Sequence, residues 1–360
     1  MESADLGAVG PYELLLQLAK GGMAEVFIAR RAGAGPGEAG REPLVALKRI
    51  RADLRAESGY SSMLLDEAGL ASRVASPNFV QVLDRGIDEG GAPYIVMELV
   101  VGVTLKQLTR SPEALGIGDA LDLIAQAADG LHAAHEARDS SGELLQVIHR
   151  DISPSNILVG VDGRARICDL GLAWALRRTT RTKTGMVKGK LSYFSPEQAH
   201  ARPLDRRSDV FSLGVVAWEV LAGRRLFVGS NMLSILHAVL EREVPPLWTE
   251  RDGVGNAVTD AVARALERDR DARWATAAEF AGALRGAAER ERHAASRERV
   301  GGRVAEVLPE GLRPLVAGYG PGGLLATRES VAALRAMHAA GVVGERDSSG
   351  MMAVRGSSRG

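Results

Sequence analysis

The chain contains a single cysteine, Cys168, among 360 residues. One thiol excludes a disulfide scaffold and any cysteine-rich zinc module. Net charge is missing too: 45 Lys and Arg balance 45 Asp and Glu. That excludes a supercharged nucleic-acid binder, and no nucleic-acid partner is expected. No stretch of about 18 uninterrupted apolar residues occurs, so no membrane span is expected. The opening MESADLGAVG has neither a basic start nor an apolar run. It does not read as a secretory signal, and the chain reads as cytoplasmic. Lysine is scarce: Lys20, Lys48, Lys106, Lys183, Lys188 and Lys190 are the only six among the 45 basic residues. Where a lysine survives among so many arginines, a compact point charge is a reason to keep it.

What remains is ordinary for a folded protein, with 46% apolar and 25% charged residues. The length allows one large or two to three smaller domains. Residues 12–18 (YELLLQL) and 25–31 (EVFIARR) read as strands joined by the turn KGGMA, and 44–50 (LVALKRI) as a third. Apolar spacing over 61–73 predicts a helix. Runs at 79–87 and 93–100 predict two more strands around the turn DEGGA. After Gly102 the character changes. A long Ala/Leu-rich helix is predicted over 117–137, short strands at 145–148, 156–159 and 165–168, and helices over 208–286. The alternating Glu/Arg stretch 287–300 reads as a solvated helix, and the Gly/Ser-rich 344–360 as disordered. The plan is a small β-rich lobe, a short connection near 98–102 and a large helical lobe.

Several short motifs carry chemistry. Lys48 lies inside the apolar strand VALK, which is costly without an anionic partner. HRDISPSN places Asp151 and Asn156 five residues apart, so one loop can aim a carboxylate at a hydroxyl and an amide at a metal. CDLG puts Asp169 between an apolar strand and Gly171, and SPE follows at 195–197.

Taken in order, KGGMAEV, VALK, a helical Glu, HRDISPSN, DLG, SPE, SDVFSLG and a late Arg273 resemble the protein kinase family, specifically the bacterial Ser/Thr kinases, over about residues 12–286. The resemblance implies an α+β bilobal fold. Residues 1–11 are then an N-terminal tail, 12–98 the small antiparallel lobe with one helix, 98–102 the hinge, 103–286 the mostly helical lobe and 287–360 a partly helical C-terminal extension. It implies a Mg²⁺-dependent transfer of the ATP γ-phosphate to protein Ser/Thr hydroxyls. In that template Leu18, Ala19, Lys20, Gly21, Gly22, Met23, Ala24, Glu25 and Val26 form the phosphate loop and its flanks. Ala46, Met97, Glu98 and Val100 surround the adenine. Lys48 holds the α- and β-phosphates and pairs with Glu67, with Asp66 the rival one residue away. Asn156 and Asp169 hold the metal, and Asp151 orients the hydroxyl and accepts its proton. Asp209 pins the catalytic-loop backbone, and Glu197 pairs with Arg273. Partners are ATP and protein substrates, with self-association for trans-autophosphorylation within the family's range.

The chain also departs from that pattern. Ala19 and Ala24 replace the first and third glycines of the phosphate loop, which small side chains tolerate if φ stays negative. Leu170 stands where Phe is usual. Ser153 occupies the place, two after Asp151, where Ser/Thr kinases carry a γ-phosphate lysine, and Lys190 occupies a place usually held by Thr. One catalytic positive charge is therefore expected to have moved from position 153 to Lys190; the alternative leaves Lys190 in solvent. Residues 177–190 hold six basic side chains and no acid, and Thr182 and Thr184 are the expected phosphosites, with Arg150 as the anchor for the added charge. Two rival readings stay open: a nucleotide-binding pseudokinase, favoured by Ala19 and Ser153, and a small-molecule phosphotransferase. The latter is disfavoured by the long segment between Asp169 and Glu197.

Overall fold

A computed structural model describes residues 6–339 except 22, 33–41, 52–53, 55–57, 112, 171–187 and 321–322. Thr182, Thr184 and Gly22 therefore lie outside the described residues, as does 344–360.

The first lobe is one curled antiparallel sheet. Its strands are β1 (Ala8–Val9), β2 (Tyr12–Lys20), β3 (Ala24–Arg31), β5 (Val45–Ile50), β7 (Pro93–Glu98) and β6 (Val82–Ile87), in the spatial order β1-β2-β3-β5-β7-β6. The short β4 (Glu42–Pro43) precedes β5. Apolar alternation gives the sheet two buried faces. Tyr12, Leu14, Phe27, Leu47 and Val96 cluster on one side. Leu16, Leu18, Ile28 and Ala46 join the main core on the other. Helix α1 (Ser58–Ala71) covers the sheet with Leu64 and Ala68 against Ile50 and Ile95.

The second lobe is helical around α3 (Ile117–His135), which follows α2 (Leu105–Thr109). The short helices α4 (Lys188–Leu191) and α5 (Pro196–Ala199) lead into α6 (Arg207–Ala222), the most buried helix. Beyond it come α7 (Met232–Glu241), α8 (Asn256–Ala265) and α9 (Ala277–Arg290). A small antiparallel sheet of β8 (Gly102–Thr104), β9 (Ile157–Gly160) and β10 (Ala165–Ile167) lies where the lobes meet. Glycine is required at position 102, because a Cβ there would collide with the carbonyl of Val159 on the neighbouring strand.

Three sequence expectations are corrected. Residues 145–148 form no strand. Their stretch pairs only through an isolated bridge between Arg138 and Leu144, and Gln146 turns the chain with φ 48°. The sixth strand starts at Val82 rather than Phe79, which instead bridges Ile167. The stretch 287–300 is not one solvated helix. Helix α9 stops at Arg290, Arg292 has φ 58°, and α10 (Arg297–Val307) starts afresh at the cap Ser296. The break has two causes: Glu291 accepts from the backbone N–H of Gly255 (2.7 Å) and Val258 (3.0 Å), capping α8, and buried Asp119 accepts from Ser296 N (2.8 Å) and Arg299.

The extension then crosses from one lobe to the other. Val300 and Val304 of α10 and Leu308 join the main core. A 3₁₀ turn (Glu310–Gly318), β11 (Tyr319–Gly320) and β12 (Gly323–Ala326) follow, and β12 pairs with β4. Helix α11 (Arg328–Ala339) buries Val331 and Leu334, and its Arg335 pairs with Glu13 of β2.

Candidate active site

The cleft between the lobes begins with β2 and β3. Their hairpin closes through Gly21 N donating to Ala24 O at 2.8 Å. Ala19 and Ala24 are buried, and neither lies in the left-handed region, so alanine serves at both glycine positions without strain. Lys20 and Glu25 pair at 3.7 Å on the rim, and Arg51 Nη1 donates to Gly21 O at 3.2 Å, with Arg51 N bonded to Met23 O.

Behind the hairpin is an apolar slot open to solvent. Leu18, Ala19, Val26, Ala46, Met97, Glu98 and Val100, the residues that the resemblance assigns to the nucleotide, line it. Val80, Leu99, Gly102, Leu158 and Cys168 line it as well, and sequence reading named them only in part. Leu158 is the informative omission. It lies two residues beyond Asn156, on the strand face that alternation turns toward the slot.

At the inner end Lys48 Nζ donates to Glu67 Oε1 at 2.7 Å and to Asp169 Oδ1 at 2.8 Å. Burial alone pulls the ammonium toward neutrality, but Asp169 and Glu67 outweigh it and hold Lys48 above the usual lysine value. The choice between Glu67 and Asp66 is resolved by the helix. A one-residue offset rotates a side chain by about 100°, and Asp66 is exposed while Glu67 faces the cleft.

The loop at 149–156 is held from below. Buried Asp209 accepts from His149 N (2.7 Å), Arg150 N (2.8 Å) and His135 Nε2 (2.8 Å). With these bonds the loop sustains φ 65° at Arg150. His149 is buried and bridges the loop to the residue that follows β10: Nδ1 accepts from Asp151 N at 3.3 Å and Nε2 donates to Cys168 O at 3.1 Å. Only the neutral ring satisfies both contacts, and burial likewise holds His149 below the usual histidine value. Asn156 Nδ2 donates to Asp151 O (2.7 Å) and Oδ2 (3.0 Å). That orientation turns the amide oxygen of Asn156 away from Asp151. Asp169 has φ 58°, a left-handed backbone that swings its carboxylate to Lys48. One carboxylate and one amide oxygen form a hard donor set suited to Mg²⁺, which takes few protein ligands alongside phosphate and water.

A family model for the protein kinase domain matches residues 12–282. The chain belongs to the protein kinase family. Its kinase domain is 39% identical over 279 residues to the tyrosine-protein kinase MasK of Myxococcus xanthus, covering 76% of this chain and 42% of that protein. It is 36% identical over 275 residues to the serine/threonine-protein kinase PknB of Mycolicibacterium smegmatis (75% and 41%). With PrkC of Bacillus subtilis the identity is 32% over 283 residues (79% and 41%). The chain thus spans about two fifths of the length of these curated relatives. In fold it is similar to the PknI kinase domain of Mycobacterium tuberculosis, with a TM-score of 0.58 at 24% identity, over 79% of this chain and 99% of that one.

Further residues of the kinase domain gather below the cleft. Glu197 and Arg273 are paired and buried, and Ser208 Oγ donates to the same carboxylate at 2.6 Å. Lys190 of α4 makes an ion pair with Asp151 Oδ2. Ser153 is buried, and its hydroxyl has no partner among the described residues. The same holds for the Nε of Arg150. His135 was missed by sequence reading: an i, i+3 histidine pair on an Ala-rich helix gives no sign that one member will bond Asp209, 74 residues away.

Proposed function

We propose that this kinase transfers the γ-phosphoryl group of Mg-ATP to serine and threonine hydroxyls of proteins, in the cytoplasm, where that nucleotide is abundant. The observation that carries the reading is the convergence of Lys48, paired with Glu67 and Asp169, with the bonded pair Asp151 and Asn156 at one end of an apolar slot. Bound Mg²⁺ would neutralise charge between the β- and γ-phosphates, with Asn156 and Asp169 as its protein ligands. Lys48 orients the α- and β-phosphates. Asp151 positions the substrate hydroxyl and takes its proton as the oxygen attacks the γ-phosphorus and the bond to the β-bridging oxygen breaks, releasing ADP.

Activation by phosphorylation is part of the same proposal. Thr182 and Thr184 are proposed phosphosites, and Arg150, whose buried Nε has no partner among the described residues, is the proposed anchor for the added charge. Self-association would bring one copy's segment to another copy's cleft.

The test is incubation with Mg-ATP, intact-mass measurement and phosphoamino-acid analysis, beside Asp151→Asn. Mass gain in the wild type alone, on Ser or Thr, supports the reading. Phosphotyrosine would place this chain with the activity named for MasK. No gain despite nucleotide binding would favour the second reading, a nucleotide-binding scaffold, which Ser153 motivates.

A further inference from the structure

The catalytic loop lacks a cation at Ser153, whose hydroxyl is buried with no described partner. Yet the loop does not lack one in space, because Lys190 reaches it from the activation segment and pairs with Asp151. Both side chains are about four-fifths buried. The segment that carries Lys190 is anchored just downstream. Leu191 and Phe194 pack on Ile235 of α7, Ser212 Oγ donates to Tyr193 O at 2.7 Å, and Gln198 Nε2 donates to Arg150 O at 2.9 Å. Lys190 is therefore delivered to a fixed point beside the carboxylate that aims the hydroxyl.

Building on the proposed transfer reaction, we infer that Lys190 supplies the cation for the transferred phosphoryl group, a charge carried by the activation segment instead of the catalytic loop. An ammonium there faces charge on the phosphoryl oxygens as the bond to ADP breaks. It also holds Asp151 in place through the pair already formed. The consequence is regulatory: the charge complement of the cleft is complete only when the segment is docked at α4.

The test compares Lys190→Thr, Ser153→Lys/Lys190→Thr and wild type. Lys190→Thr is expected to lower kcat by about 10²-fold with a much smaller change in KM for ATP. It is also expected to weaken a non-hydrolysable ATP analogue relative to ADP by about tenfold in calorimetry. The double variant is expected to recover most of both losses. A lysine that merely clamped the segment would leave the analogue-to-ADP ratio unmoved, and Ser153→Lys would restore nothing. Either result overturns the inference. Inactive wild type would instead overturn the transfer reading, while the binding ratio would still report on Lys190.

A separate observation concerns the extension. Leu308, Leu312 and Leu315 border a small pocket whose other wall is Leu18, Ile28 and hinge residues 99–102. Leu18, Leu99, Val100 and Gly102 also line the nucleotide slot. The hinge is thus sandwiched between the slot and the extension. We infer that these leucines position the hinge and so set nucleotide affinity. Leu312→Ala should weaken ADP binding by about three- to tenfold at temperatures well below its unfolding transition, and Leu312→Met should restore it. Unchanged ADP affinity in folded Leu312→Ala would overturn this inference.

Discussion

Arg273 grips Glu197 with two parallel hydrogen bonds, 2.7 and 2.9 Å, and both side chains are buried. The remaining donors of Arg273 go to the carbonyls of Glu267 (2.6 Å), Arg268 (3.0 Å) and Arg207 (3.1 Å), and the guanidinium lies 5.0 Å from the ring of Phe211. Every polar atom of the pair is engaged, which makes a buried ion pair tolerable. Arg273→Ala leaves an uncompensated carboxylate and is expected to cost about 3–5 kcal/mol in urea unfolding. Arg273 and Ser208 hold the Glu197 carboxyl below its usual range against the opposing effect of burial. Its contribution is therefore present above pH 4.5 and lost as pH falls through the lower folded value. Glu197→Gln should flatten that part of the stability profile.

Asp209 is the second structural centre, with two backbone N–H groups and His135 on one carboxylate. Asp209→Ala strands the buried donor of His149 and the half-buried one of Arg150, at about 1–3 kcal/mol for a buried donor. The variant should be less stable, and its phosphotransfer should fall by more than its loss of folded population. Comparison of kcat with circular dichroism at the same temperature checks this.

His149 predicts a pH effect of definite sign. Its folded value lies below the usual 6.5, with burial the main cause. The unfolded chain therefore binds a proton that the folded one excludes, and stability falls as pH drops below 6.5. The loss is at most about 1.4 kcal/mol per pH unit, until the folded value is reached. Urea midpoints between pH 7.5 and 5.5 should drop in the wild type, and less steeply in His149→Gln.

The extension separates burial from surface charge. Leu334 of α11 is fully buried, whereas the Arg335 side chain is 57% exposed where it pairs with Glu13. Leu334→Ala is expected to cost about 2–5 kcal/mol and Arg335→Ala under about 1 kcal/mol. Thermal unfolding of the two variants checks the ranking.

Some residues were legible because their partners sit close along the chain or because a strand or helix period places them; distant pairs such as Glu197 with Arg273 were legible only through the likeness to a known series of motifs. Asp151 and Asn156 share one loop, Lys48 lies in an apolar strand, and Glu67 has one neighbour as rival. The α+β order of a small sheet followed by helices was readable for the same reason, since alternation and 3.6-residue spacing are local. The breaks were not. Gln146 and Arg292 adopt left-handed backbone that no residue type there demands, and the helix break after Arg290 exists because Glu291 and Asp119 find partners at the starts of α8 and α10.

The chemical groups of the cleft were already present in the order of residues, and the likeness to a known series of motifs supplied their roles. The motif series also paired Lys48 with Glu67 and Glu197 with Arg273, but other contacts came only with the tertiary structure. Lys190 reaches Asp151 across 39 positions, His135 reaches Asp209 across 74, and β12 pairs with β4 from Leu325 back to Pro43. Such contacts depend on how two lobes pack, and packing is a property of surfaces that exist only once the local elements have formed.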